Sequence, residues 1–179
     1  MSDVNTIGTL NDIMQTIDLG PTGSIQMMFA KLQLAQSAIC KDQAELYMQQ
    51  IEDIQAEQKE CADMIKKARE LQNKAKSGTG DCKWDKNASV MPDDMVKYFE
   101  SHGLTYDTTG GEGDYVHNSD EWDINLKSLT NYQETIGNKT QTLMVYLQDF
   151  IGQYNSYLQG ANTQIANANQ TLTNLARGQ

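Results

Sequence analysis

The sequence predicts an all-α fold: a long antiparallel coiled-coil helical hairpin, with a short helix and loop insert between the two rods. Three observations carry this reading. Apolar residues recur at three- and four-residue steps over residues 24–76 and again over residues 122–177. Proline occurs only twice in 179 residues, while Gln, Ala, Leu and Met, all good helix formers, are abundant. The two stretches are of similar length and are joined by about 45 residues, so the simplest packing folds one back on the other. The length suits one domain.

Residues 1–23 read as a polar, flexible N-terminal segment. "LGPTGS" then interrupts any pattern, and Ser24 is placed to cap a helix. The first helix spans residues 24–76, about 80 Å at ~1.5 Å per residue. Its stripe runs Ile25, Met28, Leu32, Ala35, Ile39, Leu46, shifts near Tyr47, and resumes through Ile51, Ile54, Cys61, Ile65, Ala68, Leu71 and Ala75. Asp63–Lys67 and Glu70–Lys74 are i,i+4 pairs in the favourable order. "KSGTG" ends the helix, with Gly78 just beyond it.

Residues 77–121 form an acidic insert. "DCKWDKNASV" reads as a loop. "MPDDMVKYFESHGL" reads as a short helix over 92–102: Pro92 suits the first helical position, Asp93 and Asp94 complement the N-terminal dipole, and Gly103 stops it. Val96 and Phe99 share a face that packs against the hairpin, so Pro92, Val96, Phe99 and Gly103 make a clasp. "DTTGGEGDYVHNSDE" reads as a mobile, exposed acidic loop.

The second helix spans 122–177. Leu129, Ile136, Leu143, Phe150 and Tyr157 are spaced by sevens, and so are Leu147, Tyr154, Ala161, Ala168 and Leu175. The expected intramolecular seam sets Ile25, Met28, Leu32, Ile51, Ile54 and Ile65 against Leu129, Ile136, Leu143, Leu147, Phe150 and Tyr154. Gly137, Gly152 and Gly160 lie inside this helix, each costing roughly 1 kcal/mol against Ala. Its polar positions are Asn, Gln and Thr rather than Glu and Lys, so its stability comes from packing rather than propensity. A solvated face is usually charged. This one is not, which points to burial in an assembly, with Leu158, Ile165, Leu172 and Leu175 as contacts between subunits.

The net charge is −10, which argues against nucleic-acid binding. Residues 1–76 carry a net −3, residues 77–121 a net −7, and residues 122–179 none. Cys40, Cys61 and Cys82 have no disulfide-framework spacing. Cys40 and Cys61 sit about 30 Å apart on one helix. Free thiols fit synthesis in a reducing cytoplasm. No run of ~18 apolar residues predicts a membrane span. The first residues lack the basic and apolar regions of a Sec signal.

Catalytic chemistry is not expected. His102 and His117, with Cys82 and the insert acids, have no metal-ligand spacing. Asp107, Glu112 and Asp114 do not meet the EF-hand pattern and read as a solvated turn. No nucleophile motif or phosphate-cradling glycine loop is present. The expectation is no enzyme, no cofactor and no metal. Two classes remain: a self-assembling structural protein, or a cytosolic coiled-coil chaperone or adaptor.

"MPDDMVKYFESHGL" resembles the segment that follows the first long helix in the EspA/SseB-like translocator proteins of bacterial type III secretion systems. The run "LKSLTNYQETIGNKTQTLMVYLQDFIGQYNSYLQGANTQIANANQTL" is similar in style to the C-terminal helix of those proteins and of related needle-tip proteins. The resemblance covers most of residues 24–176; the three cysteines and the short N-terminal segment depart from it. It implies export by type III secretion without a cleaved Sec signal and an extracellular place on the bacterial surface. It further implies polymerisation into a hollow helical sheath on the needle, or alternatively a needle-tip cap. The implied partners are other copies of the chain, a cytosolic secretion chaperone, the needle subunit, the pore-forming translocators and effectors passing through the lumen. Host surface contact through the acidic insert is also implied.

Overall fold

The computed structural model describes residues 10–19, 24–109 and 115–178. The chain is mostly helical. Helix α1 spans Leu10–Thr16, α2 Ile25–Lys76, α3 Asp93–Ser101 and α4 Ser119–Arg177. The strands β1 (Ala88–Val90) and β2 (Val116–Asn118) pair antiparallel, with Ser89 opposite His117. Helix α2 packs against α4. The contacts divide the chain into two units: residues up to 51 together with those from 142 onward, and residues 52–141.

The helix ends are set by local chemistry. Ser24 accepts the Met27 N–H at its hydroxyl (3.2 Å) and so caps α2. After α2, the Gly78 N–H bonds to the Ala75 carbonyl and the Thr79 N–H to that of Lys74, a Schellman closure. Helix α3 ends the same way: the Gly103 N–H bonds to the Glu100 carbonyl and the Leu104 N–H to that of Phe99. Gly103 reaches φ +63 there, a left-handed conformation that a side chain would oppose. Helix α4 opens on a capping box. The Asn118 side chain accepts the N–H groups of Asp120 and Glu121, and Glu121 reaches back to the Asn118 N–H at 2.7 Å.

In the unit of residues 52–141, α2 and α4 interleave Ile54, Cys61, Ile65, Ala68, Leu71 and Ala75 with Trp122, Leu129 and Ile136, all buried. The insert adds Met91, Met95, Val96, Tyr98 and Phe99 to the same core. Gly80 lies so close to β1 that an added Cβ would sit 1.9 Å from the Ala88 carbonyl oxygen, so the turn into the strand admits no side chain. In the other unit, Tyr47 stacks on Phe150 at 5.6 Å and the Cys40 thiol points at the Gln153 carbonyl. The buried residues there are mostly small: Ala30, Ala35, Ser37, Cys40, Ala44, Ala161 and Ala168.

Several expectations need correction. The stripe of α2 has no shift near Tyr47. Ala30, Ser37, Ala44, Ile51 and Ile65 keep one heptad phase, and Cys40, Ile54, Cys61, Ala68 and Ala75 the other, and all are buried. Ile25 and Met28 are not seam residues; they are 72% and 60% exposed, because the inner face at that end carries Ala30 and Ser37. Residues 88–90 and 116–118, expected in loops, form the β1–β2 ribbon, whose three-residue strands are too short to show a two-residue period. Helix α4 begins at Ser119 rather than Trp122, and Pro92 is the N-cap of α3 rather than its first residue. Lys67 bonds Asp94 at the start of α3 (2.5 Å) rather than Asp63. Asp107 is buried, not solvated. The expected flexible segment 1–23 contains α1. Its residues 1–9 and 20–23 lie outside the described residues, as do residues 110–114 with Glu112 and Asp114.

Candidate functional site

Two places carry chemistry beyond simple packing, one in each unit. The first is the helical surface of the unit built from residues up to 51 and from 142 onward. Among the expected seam residues, Ile51 and Leu143 are buried there, while Leu32, Leu147, Phe150 and Tyr154 are half-buried. Among the expected subunit contacts, Leu158 and Ile165 are half-buried and Leu172 and Leu175 are 63% and 65% exposed.

Other large apolar side chains of this unit face solvent with them: Phe29, Leu46, Met48, Met144, Val145, Tyr146 and Ile151. Residues 142–178 bring only Asp149 and Arg177 as charges. Near the start of α2, Met14 of α1 joins Ile25, Met28, Phe29 and Leu32 around an apolar groove of about 560 Å³. The unit therefore buries alanines and exposes leucines, valine and aromatics. A folded monomer gains little from such an arrangement, since full burial of a Leu or Val contributes ~1.5–3 kcal/mol that is here forgone. Burial and the nearby Asp149 charge push the Cys40 thiol above its ordinary value, so it behaves as a small packed group rather than a reactive one.

The second place is the insert of the unit of residues 52–141. Val96 and Phe99 of the expected clasp are buried, Pro92 is half-buried and Gly103 is exposed at the end of α3. Phe99 meets Tyr106 edge-on at 5.8 Å. The Tyr98 ring lies tilted against His102 at 4.2 Å, and His102 reaches Tyr132 at 5.2 Å. Tyr132 donates to the Glu57 carboxylate. Burial, with that bond second, pushes the Tyr132 phenol far above its usual range. Burial does the same to Tyr98, beside Cys61, so both phenols stay protonated and structural.

Around β2 the chain assembles a more polar cluster. Trp122, wholly buried, donates its indole N–H to Ser89 Oγ at 2.8 Å, and Ser89 donates onward to the Leu71 carbonyl at 2.9 Å. The His117 ring lies edge-on to Trp122 at 5.2 Å. Asn125, also wholly buried, accepts the Asp107 backbone N–H at 2.7 Å. Asp107 in turn accepts the Thr109 hydroxyl at 2.6 Å. One ligand-type atom each of Asp107, His117 and Glu121 lies within 4.8 Å of the others.

The sequence groups His117 with the insert acids but offers no metal-ligand spacing, and D-x9-H-x3-E hides that Asp107, His117 and Glu121 meet. The signal for Glu121 was present in "NSDE", a capping-box pattern that also fixes where α4 starts. Among the described residues no helix is long and apolar enough to cross a membrane. No family model, no curated protein and no solved structure matches the chain.

Proposed function

We propose that this chain is a structural subunit that self-assembles through its long helices into a helical filament. The single observation that carries the reading is the inverted packing of one unit: small residues inside, and Leu172, Leu175, Val145, Ile151 and Phe29 outside. We read these exposed side chains as parts of an interaction surface. Heterologous contacts between such surfaces that do not close into a ring generate a filament. The near-absence of charge on the last part of α4 supports burial, since interface cores are depleted of charged residues.

The resemblance of "MPDDMVKYFESHGL" and of the C-terminal run to the EspA/SseB-like translocators supplies the setting. In that reading the filament is an extracellular sheath on a type III secretion needle, linking it to the pore-forming translocators and passing effectors. A secretion chaperone covers the helical faces before export. The acidic insert stands apart from the assembling surface in sequence and carries most of the net charge, which suits an outward-facing position.

The test is Leu172→Glu and Leu175→Glu. Both side chains are exposed, so neither change should disturb the fold of the monomer. Loss of sedimenting polymer, with solubility and helical content retained, is the expected result. Variants that sediment like the parent would remove α4's end from the interface.

A further inference from the structure

The geometry points to a site for a borderline divalent cation of the zinc type at Asp107, His117 and Glu121. This proposal is independent of the assembly reading. One imidazole nitrogen and two carboxylate oxygens already lie within 4.8 Å of one another. Zinc holds such atoms at ~2.0–2.2 Å, which places ligand atoms roughly 3.4 Å apart in a tetrahedron.

The three groups are held before any ion arrives. His117 sits on β2 opposite Ser89, with its ring against Trp122. Glu121 is fixed by the capping box at the start of α4. Asp107 is pinned through its backbone by Asn125 and through its side chain by Thr109. Such secondary contacts orient metal ligands in protein sites.

Two further observations favour a ligand. Among the described residues no Lys or Arg forms an ion pair with Asp107 or Glu121, although Asp107 is buried and both carboxylates share one Thr109 hydroxyl. The Nδ2 group of Asn125 is a wholly buried donor without an acceptor, and an anionic further ligand on the ion, such as hydroxide or chloride, is the kind of acceptor it lacks. The donor set selects the ion class. Imidazole with carboxylates suits zinc and its neighbours, whereas calcium and magnesium prefer all-oxygen sites with more ligands. The ion would tie the loop after α3, β2 and the first turn of α4 together.

The experiment is calorimetric titration of the full chain with zinc chloride, with calcium chloride as the comparison. One zinc per chain is expected, with calcium at least tenfold weaker. Glu121→Gln keeps the capping-box acceptor and Asp107→Asn keeps the side-chain volume; each should weaken zinc at least tenfold. In the unmutated chain, zinc should shift the ring nitrogen resonances of His117 and leave those of His102 in place. No zinc binding, equal binding of calcium, unchanged binding by both variants, or an unmoved His117 ring would each overturn the site.

Discussion

Ser89→Ala tests how the insert is fastened to the two long helices. Ser89 is wholly buried and stands in a relay: the Trp122 indole N–H donates to its hydroxyl, and the hydroxyl donates to the Leu71 carbonyl. Removing the hydroxyl leaves a buried indole N–H with no acceptor. An orphaned buried polar group costs about 1–3 kcal/mol. For a chain of this length each kcal/mol lowers Tm by roughly 2–4 °C, so a mid-range loss of about 2 kcal/mol corresponds to a fall of about 4–8 °C. The assay is thermal unfolding followed by tryptophan fluorescence in a Trp84→Phe background. Trp84 is 88% exposed and Trp122 is not exposed at all, so the remaining signal reports the buried ring alone.

A double-mutant cycle with Trp122→Phe, followed by circular dichroism, isolates the hydrogen bond, because removing both partners leaves nothing orphaned. The cost of Ser89→Ala should shrink by about 1 kcal/mol or more when Phe replaces Trp122. A Tm unchanged within a degree, or an equal cost in both backgrounds, would refute the relay.

Two further predictions concern the helices. Gly152 lies inside α4 with nothing within 4 Å of an added Cβ, so Gly152→Ala should stabilise the monomer by about 1 kcal/mol, read as a higher denaturation midpoint with an unchanged slope. Asp94 bonds Lys67, and that bond holds its carboxyl below the usual carboxylate range. A depressed folded value means the contribution is present above the unfolded value near ~3.9 and is lost as pH falls through the folded value. The pair is largely solvent-exposed, so Asp94→Asn should cost well under about 1 kcal/mol at neutral pH and nothing at strongly acid pH. Stability curves of the two proteins that run parallel across this range would contradict the assignment.

The long helices were legible because 3.6-residue periodicity survives over many turns, and the start of α2 and the ends of α2 and α3 because Ser24, Gly78 and Gly103 act through local chemistry. The inner face of α2 at its first half was not legible. Reading the stripe from the largest apolar residues selected Ile25 and Met28, whereas the heptad phase that packs inward carries Ala30, Ser37 and Ala44. Periodicity identifies faces; it does not say which face has a neighbour. The β1–β2 ribbon was hidden because three residues per strand leave no repeat to detect. The Asp107–His117–Glu121 cluster was hidden for a related reason: it depends on strand pairing and a helix cap, not on spacing along the chain. The buried tryptophan was visible only as the start of a stripe, and its bond to Ser89 joins positions 33 residues apart.

The central claim is that the large apolar residues left outside on the long helices are covered by other copies of the chain. Electron microscopy of the concentrated, purified protein tests it most directly. Long helical fibres that disappear with Leu172→Glu are the predicted result. Monomers or small discrete oligomers at every concentration, with no fibres, would contradict it.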